Sequence, residues 1–392
     1  MVTQDGGAGK HISGMEHSTV AAMARQALGS KGATVVDWRV EAAGPNTGPA
    51  TGGVYRVEGS AVEAGVESGW SVILKVVSPG ASEAESPIRD EAHPLYWKRE
   101  VLAYTTGLLD ELPGGVSAPR CYGAVEQEDG SVWLWLEEAK EAGAAKWDLE
   151  QYARAAECLG RFNGTYLTGR PLPAYSWLVR TGSPRGVLNH NSWVRDVIAD
   201  ASTWDYPLMR AAFPQPVVEP LLKLWDGREV LLRALDEVPV TFCHLDAWRR
   251  NMFSRVNSGG GPGLTLIDWA YPGYGAVGTD LGDLFGESFC LSELGDTEAG
   301  VLDEALFSGY LAGLRGAGWK GDIEQVRFGF AAFCALKHLF MIFISVRDVP
   351  VESRHPAWER LFGRPFEEVM HRQSKLLYYL FNMAEEAQRL VI

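Results

Sequence analysis

Two short apolar runs, each stopping abruptly on a polar cluster that holds a carboxylate, limit this chain more than any other feature. Val240-Thr241-Phe242-Cys243 leads into His244-Leu245-Asp246-Ala247-Trp248-Arg249-Arg250-Asn251, and Leu264-Thr265-Leu266-Ile267 leads into Asp268. Runs of four apolar residues bounded by polar loops predict short buried strands. The Gly/Ser stretch from Ser258 to Gly263 predicts the turn between them, so the two carboxylates end side by side at the edge of a small strand pair. An Asp, an amide oxygen five positions on and a second Asp at the neighbouring strand end supply hard oxygen ligands, which suit Mg²⁺ carrying nucleotide phosphates. The first Asp is then free to accept a proton from an attacking hydroxyl.

The surrounding text divides in two. Residues 1–18 are Gly-rich and aperiodic, predicting a mobile tail, after which Ser18 is placed to cap a short helix through Leu28. Strand-like runs follow at Val35–Val40, Gly53–Val57, Trp70–Val77 and Val132–Leu136, interrupted by one predicted helix from Pro94 to Leu109. Beyond Glu138 the period becomes helical: Leu149, Tyr152, Ala156, Leu159, Phe162 and Tyr166 share a face, and amphipathic stretches span 301–315, 322–346 and 365–389. The expected organisation is a tail (1–18), a small antiparallel β-sheet lobe with one packed helix (19–138) and a larger helical lobe (139–392), an α+β bilobal chain. At 392 residues, two domains of ordinary size are expected.

Composition removes several function classes. A formal charge of −14 argues against general nucleic-acid binding, which needs clustered Lys and Arg on the phosphate backbone. Five scattered cysteines without a C-x-x-C pair fit neither a disulfide framework nor a zinc site, and point to a reducing cytoplasm. The most apolar run, Leu339–Val346, is far shorter than the roughly 20 residues of a membrane helix, and the first residues lack a signal peptide's apolar stretch. No membrane partner is expected, and the oligomeric state is left open.

The pattern H-x-D-x-x-x-x-N followed by a strand ending in Ile267-Asp268 resembles the catalytic and metal loops of the kinase-like superfamily, in its aminoglycoside phosphotransferase and choline kinase branch. Asp280-Leu281, twelve residues after Asp268, stands where that branch braces its catalytic loop. Lys75 in a strand and Glu100 in the following helix stand where it carries a nucleotide-binding lysine and its partner. Ala118-Pro119 and Phe307-Ser308-Gly309-Tyr310 are also similar, so the resemblance covers roughly residues 35–320.

The resemblance implies a bilobal protein-kinase-like fold and transfer of the γ-phosphate of ATP or GTP to a hydroxyl of an antibiotic, sugar or amino alcohol. It implies Asp246 as the base, Asn251 and Asp268 as Mg²⁺ ligands, Lys75 on the α/β-phosphates and Glu100 positioning Lys75. His244 and Asp280 would support the loop, and adenine would meet backbone near Glu137 and Ala139. Three departures stand out. Leu245 replaces a usual Gly, a change expected to act on packing. Gly44, Gly48, Gly52 and Gly53 form no recognised phosphate loop. Trp248-Arg249-Arg250 replaces a common His-Pro-Gly stretch, which would set two guanidinium groups, Arg250 in particular, beside the γ-phosphate.

Each residue has a plainer reading. His244 and Asp246 alone would read as a structural pair, Lys75 as a solvated strand lysine and Glu100 as a helix-surface acid. The register with Asn251, Asp268 and Asp280 favours chemistry. The alternative of a different class is a catalytically inactive kinase-fold nucleotide-binding module, and a Ser/His/Asp hydrolase is disfavoured by the lack of a G-x-S-x-G elbow. Residues 1–138 carry a formal charge of −9 and residues 139–392 only −5, although Asp280, Asp283 and Glu287 form a local acidic cluster. That balance predicts an acceptor with at most one or two positive charges rather than a polycationic aminoglycoside.

Overall fold

In the computed structural model the described residues are 15–43, 50–79, 87–142, 146–182, 184–256, 260–291, 294 and 298–391. The proposed tail up to residue 14, Gly44 and Gly48, and the first residues of the Gly/Ser loop lie outside them. The chain opens with α1 (His17–Leu28), then β1 (Thr34–Ala42), β2 (Thr51–Glu63), β3 (Val66–Val77), α2 (Arg99–Thr105), β4 (Val116–Ser117), β5 (Cys121–Glu126) and β6 (Val132–Glu137). It continues through α3 (Leu149–Leu167), α4 (Arg185–His190), α5 (Trp193–Ala199), α6 (Ala201–Asp205), α7 (Pro207–Ala212) and α8 (Val218–Asp236). The strands β7 (Val240–Cys243), β8 (Met252–Val256), β9 (Pro262–Leu266) and β10 (Gly273–Ala276) come next. They are followed by α9 (Thr279–Leu291), α10 (Ala299–Gly316), α11 (Ile323–Asp348), α12 (His355–Phe362) and α13 (Phe366–Leu390).

Alternation along the N-terminal strands builds a sheet with two different faces. The antiparallel order is β1-β2-β3-β6-β5. Tyr55, Val57, Val72, Leu74, Val76, Trp133 and Trp135 form one core with Val20, Ala21, Met23 and Ala24 of α1. Their neighbours on the opposite face, Ile73, Val77, Leu134 and Leu136, pack instead with the core of the helical lobe. Lys75, between Ile73 and Val77 and opposite Leu134, is therefore turned toward the cleft between the lobes. The helical half closes around α3, whose buried face carries the Tyr152, Ala156, Leu159, Phe162 and Tyr166 expected from the period. Gly309 of the Phe307–Tyr310 motif lets α10 press against α3, because a Cβ there would collide with the Ala153 carbonyl.

Four expectations change. Glu16 rather than Ser18 occupies the N-cap of α1, and it makes no side-chain capping bond. The helix expected from Pro94 shortens to α2, because the carbonyls of His93 and Pro94 accept from the buried Arg99 guanidinium at 2.7 Å each instead of propagating a helix. The two short apolar runs do not pair with one another. β7 pairs with β10, while β9 lies between β8 and β4, so the Gly/Ser loop connects β8 to β9. Finally, α11 is long and apolar enough to cross a membrane by length and composition, a feature a search for unbroken apolar runs overlooks because Lys337 interrupts it. In this fold 88% of its most apolar window is buried inside the protein.

Candidate active site

The strand ends bring both polar clusters to the cleft under Lys75. Lys75 Nζ bridges Glu100 Oε2 on α2 at 2.6 Å and Asp268 Oδ1 after β9 at 2.8 Å. One ammonium thus ties the sheet, its helix and the second lobe together. Burial opposes its charge, but Asp268 and Glu100 outweigh that and raise its pKa. For Asp268 burial works the other way, and the Lys75 ammonium overrides it to hold the carboxyl below its ordinary value. Burial pushes Glu100 upward despite the ion pair.

After β7 the chain turns sharply through Leu245, which adopts a left-handed backbone with φ 63°, and Asp268 does the same with φ 60°. Each such residue costs roughly 1–2 kcal/mol relative to an ordinary conformation. Asp280 offsets this by accepting from the backbone N–H of His244 at 3.2 Å and of Leu245 at 3.0 Å. Asp280 is in turn fixed by Asn163 Nδ2 at 3.2 Å, and the Asn163 amide oxygen accepts from Tyr310 Oη at 2.8 Å. The Leu245 departure therefore acts on the backbone as well as on packing: a β-carbon stands where a glycine would be unstrained.

His244 is buried, its Nε2 lies 3.0 Å from the Ile267 carbonyl, its ring meets Trp269 edge-on, and burial lowers its pKa. It joins the two loops and stays neutral. Asn251 Nδ2 donates to Asp246 Oδ2 at 2.8 Å and to the Asp246 carbonyl at 3.0 Å, which turns the Asn251 amide oxygen away from that pair. Burial, reinforced by Asp268, pushes Asp246 up to about 7, while Lys337 pulls it down. Burial raises Tyr271 to about 12, reinforced by the charges of Asp246 and Asp268.

The paired arginines do not face this centre. Arg249 is buried, donates to the Met252 carbonyl at 2.7 Å, pairs with Glu141 at 3.2 Å and stacks 4.0 Å from the Trp147 ring. Arg250 donates to the Leu361 carbonyl at 2.8 Å, beside Trp248. The expectation of two guanidinium groups on the γ-phosphate is thus corrected: one locks the hinge to the catalytic loop through Glu141, and the other is drawn to the C-terminal helices. At the hinge, Glu137 N–H donates to the Arg120 carbonyl at 2.8 Å, and Ala139 keeps both backbone groups without a protein partner among the described residues. A cavity of about 1120 Å³ opens there, lined by Glu137, Glu138, Ala139, Arg56, Arg120 and Thr265 among others.

Oxygen donors for a divalent cation are present: the Asn251 amide oxygen and the Asp268 carboxylate, whose side chain is 38% exposed. No group of three or more His, Cys, Asp or Glu able to hold a metal exists among the described residues. A cation here would share its ligands with phosphate oxygens, which suits Mg²⁺. Sequence reasoning missed the pairing of Glu141 with Arg249 and above all the influence of Lys337 on Asp246, although a lone lysine inside the apolar text of α11 was a usable signal.

The profile of the phosphotransferase enzyme family (APH) matches residues 54–320. No curated protein sequence matches the chain. Among solved structures, choline kinase from Cryptosporidium parvum Iowa II aligns at TM-score 0.51 and 14% identity over 89% of each chain, a likeness of fold. An amicoumacin kinase aligns at TM-score 0.49 and 12% identity over 85% of this chain and 87% of the other. A spectinomycin phosphotransferase aligns at 0.47 and 13%, over 96% and 99%.

Proposed function

Because the chain belongs to the phosphotransferase enzyme family (APH), we propose that it is a small-molecule kinase. Its donor is the γ-phosphate of ATP or GTP, and its acceptor is an alcohol on an antibiotic, sugar or amino alcohol. The observation that carries this reading is the Lys75 ammonium held between Glu100 and Asp268, with the Asp246–Asn251 pair on the adjoining loop.

In this reading Lys75 contacts the α- and β-phosphates, and Glu100 keeps the ammonium extended into the cleft. Asn251 and Asp268 hold Mg²⁺, which when bound offsets the charge of the phosphates and aligns them. The backbone of Glu137 and Ala139 meets the base, supported by the free Ala139 groups and the adjoining cavity. Asp246, with one oxygen fixed by Asn251, offers the other to the acceptor hydroxyl. As the acceptor oxygen bonds to phosphorus and the β,γ-bridging bond breaks, the hydroxyl proton passes to Asp246 and the nucleoside diphosphate leaves. His244 and Asp280 fix the loop.

The test is to incubate the protein with ATP or GTP, Mg²⁺ and a panel of hydroxylated metabolites and antibiotics, reading nucleoside diphosphate release. Alcohol-dependent release is expected. Nucleotide binding with no alcohol-dependent release would favour the inactive binding module.

A further inference from the structure

The proposed chemistry leaves unused a half-buried lysine on α11, Lys337. Lys337 is the single formal charge in the text from Phe328 to Phe343. α11 approaches α9 closely because Gly282 and Gly286 leave room, since a Cβ at either would collide with Phe333 or His338. That approach seats Lys337 Nζ on Asp283 in an ion pair. The adjacent His338, 2.9 Å from the Gly282 carbonyl, has its pKa pushed down to about 3 by burial and adds no charge.

Asp280, Asp283 and Glu287 occupy positions i, i+3 and i+7 of α9, one helical face. Asp280 clamps the catalytic loop, so Asp283 and Glu287 continue that face roughly 4.5 and 10.5 Å along the axis. Lys337 acts most strongly on Asp283, then on Asp246 and Glu287, and Arg250 acts on Glu287. Fully ionised, these three carboxylates would outnumber the two cations by one; burial, which pushes Asp246 and Asp283 up to about 7 and raises Glu287, keeps the net charge at or below that. Asp283 Oδ2 is buried without a hydrogen-bond partner among the described residues, a free acceptor beside the loop that carries Asp246.

We propose that Lys337 determines specificity at the acceptor site: seated on Asp283 beside Asp246, it cancels part of the acidic wall. The site then takes a hydroxylated acceptor with one cationic group, held by the charge of Asp283, and repels polycations. Like-charge opposition of this kind discriminates by excluding the wrong ligand. The inference rests on the kinase reading, and its test separates the two. Protein loaded with Mg²⁺-ADP is titrated calorimetrically with choline, one fixed charge, and with kanamycin, a polycation. Wild type is expected to bind choline more tightly than kanamycin. In Lys337→Met the kanamycin Kd falls at least about tenfold relative to choline, and Lys337→Arg restores the wild-type ratio. Asp283→Asn, which keeps a partner for Lys337 while removing a charge, moves the opposite way and weakens choline about tenfold or more. An unchanged ratio in Lys337→Met together with unaltered choline affinity in Asp283→Asn overturns the proposal, as does wild-type preference for kanamycin or no binding of either cation. Mg²⁺-ADP affinity is read in the same titrations: its absence in wild type removes the kinase reading instead.

Discussion

Two lysines of the interior each hold a carboxylate, Lys75 buried and Lys337 half-buried, and only one of them was legible in advance. Lys75 sits on a strand whose alternation sends it inward, next to a helix glutamate and a motif aspartate. Lys337 sits on a helix that is apolar almost all round, paired with Asp283. Both have raised pKa values because carboxylates outweigh burial. The difference lies in the partners: on the proposed reading Lys75 organises groups placed for a nucleotide, whereas Lys337 organises groups placed for the phosphate acceptor. A nucleotide-side site is built from short motifs fixed in spacing. An acceptor-side site is built from helix faces, where register depends on packing.

That contrast can be broken most severely at the catalytic loop. Asp246→Ala is expected to cut phosphoryl transfer by ~10² to 10⁴. Steady-state nucleoside diphosphate release checks it, and full turnover would end the assignment of Asp246.

Next comes Lys75→Met, which strands Glu100 in a buried site. Removing one partner of such a pair typically costs about 3–5 kcal/mol. Thermal denaturation should show a large drop in midpoint, and the double variant Lys75→Met/Glu100→Leu should recover part of it. An unchanged midpoint would mean the pair is more solvated than its 4% exposed glutamate indicates.

The two sides should also respond differently to pH. Asp268 is held low by Lys75 and stays ionised, so Mg²⁺-nucleotide affinity should be flat from about pH 5 to 8. Asp246 is pushed up to about 7 and must be ionised to take a proton. The acceptor kcat/KM should therefore fall as pH drops through about 7 or somewhat lower, where Mg²⁺ adds positive charge, approaching tenfold per unit. A pH-independent acceptor kcat/KM would contradict the role.

The smallest effect expected is at Leu245. Its side chain packs against Gly182, while its left-handed backbone costs roughly 1–2 kcal/mol. Leu245→Gly relieves that strain as it loses packing, whereas Leu245→Ala loses packing and keeps the strain. Chemical denaturation should find the alanine variant no more stable than the glycine variant, the reverse of the usual order. A clearly more stable alanine variant would show that the strain is absent.

The sheet lobe was readable because period-two alternation and motif spacing are local. Lys75, Glu100, His244, Asp246, Asn251, Asp268 and Asp280 do meet around the cleft. The pairing of β7 with β10 was not readable, since Gly273–Ala276 lacks the apolar run that announces a strand and is recruited by tertiary contact. Arg249 was misplaced for a similar reason: its destination depends on Glu141, more than a hundred residues away. Lys337 was overlooked because the helical period of α11 gives no polar face against which an inward charge would stand out.

The most direct measurement compares Asp246→Ala with Asp268→Asn by titrating Mg²⁺-nucleotide affinity alongside phosphoryl transfer. Both variants should lose transfer. Asp246→Ala should keep near wild-type Mg²⁺-nucleotide affinity, while Asp268→Asn, which removes an anionic ligand of a hard cation, should weaken it by about tenfold or more. Identical affinities for wild type and Asp268→Asn, or full transfer by Asp246→Ala, would contradict the division of the cleft into a nucleotide side and an acceptor side.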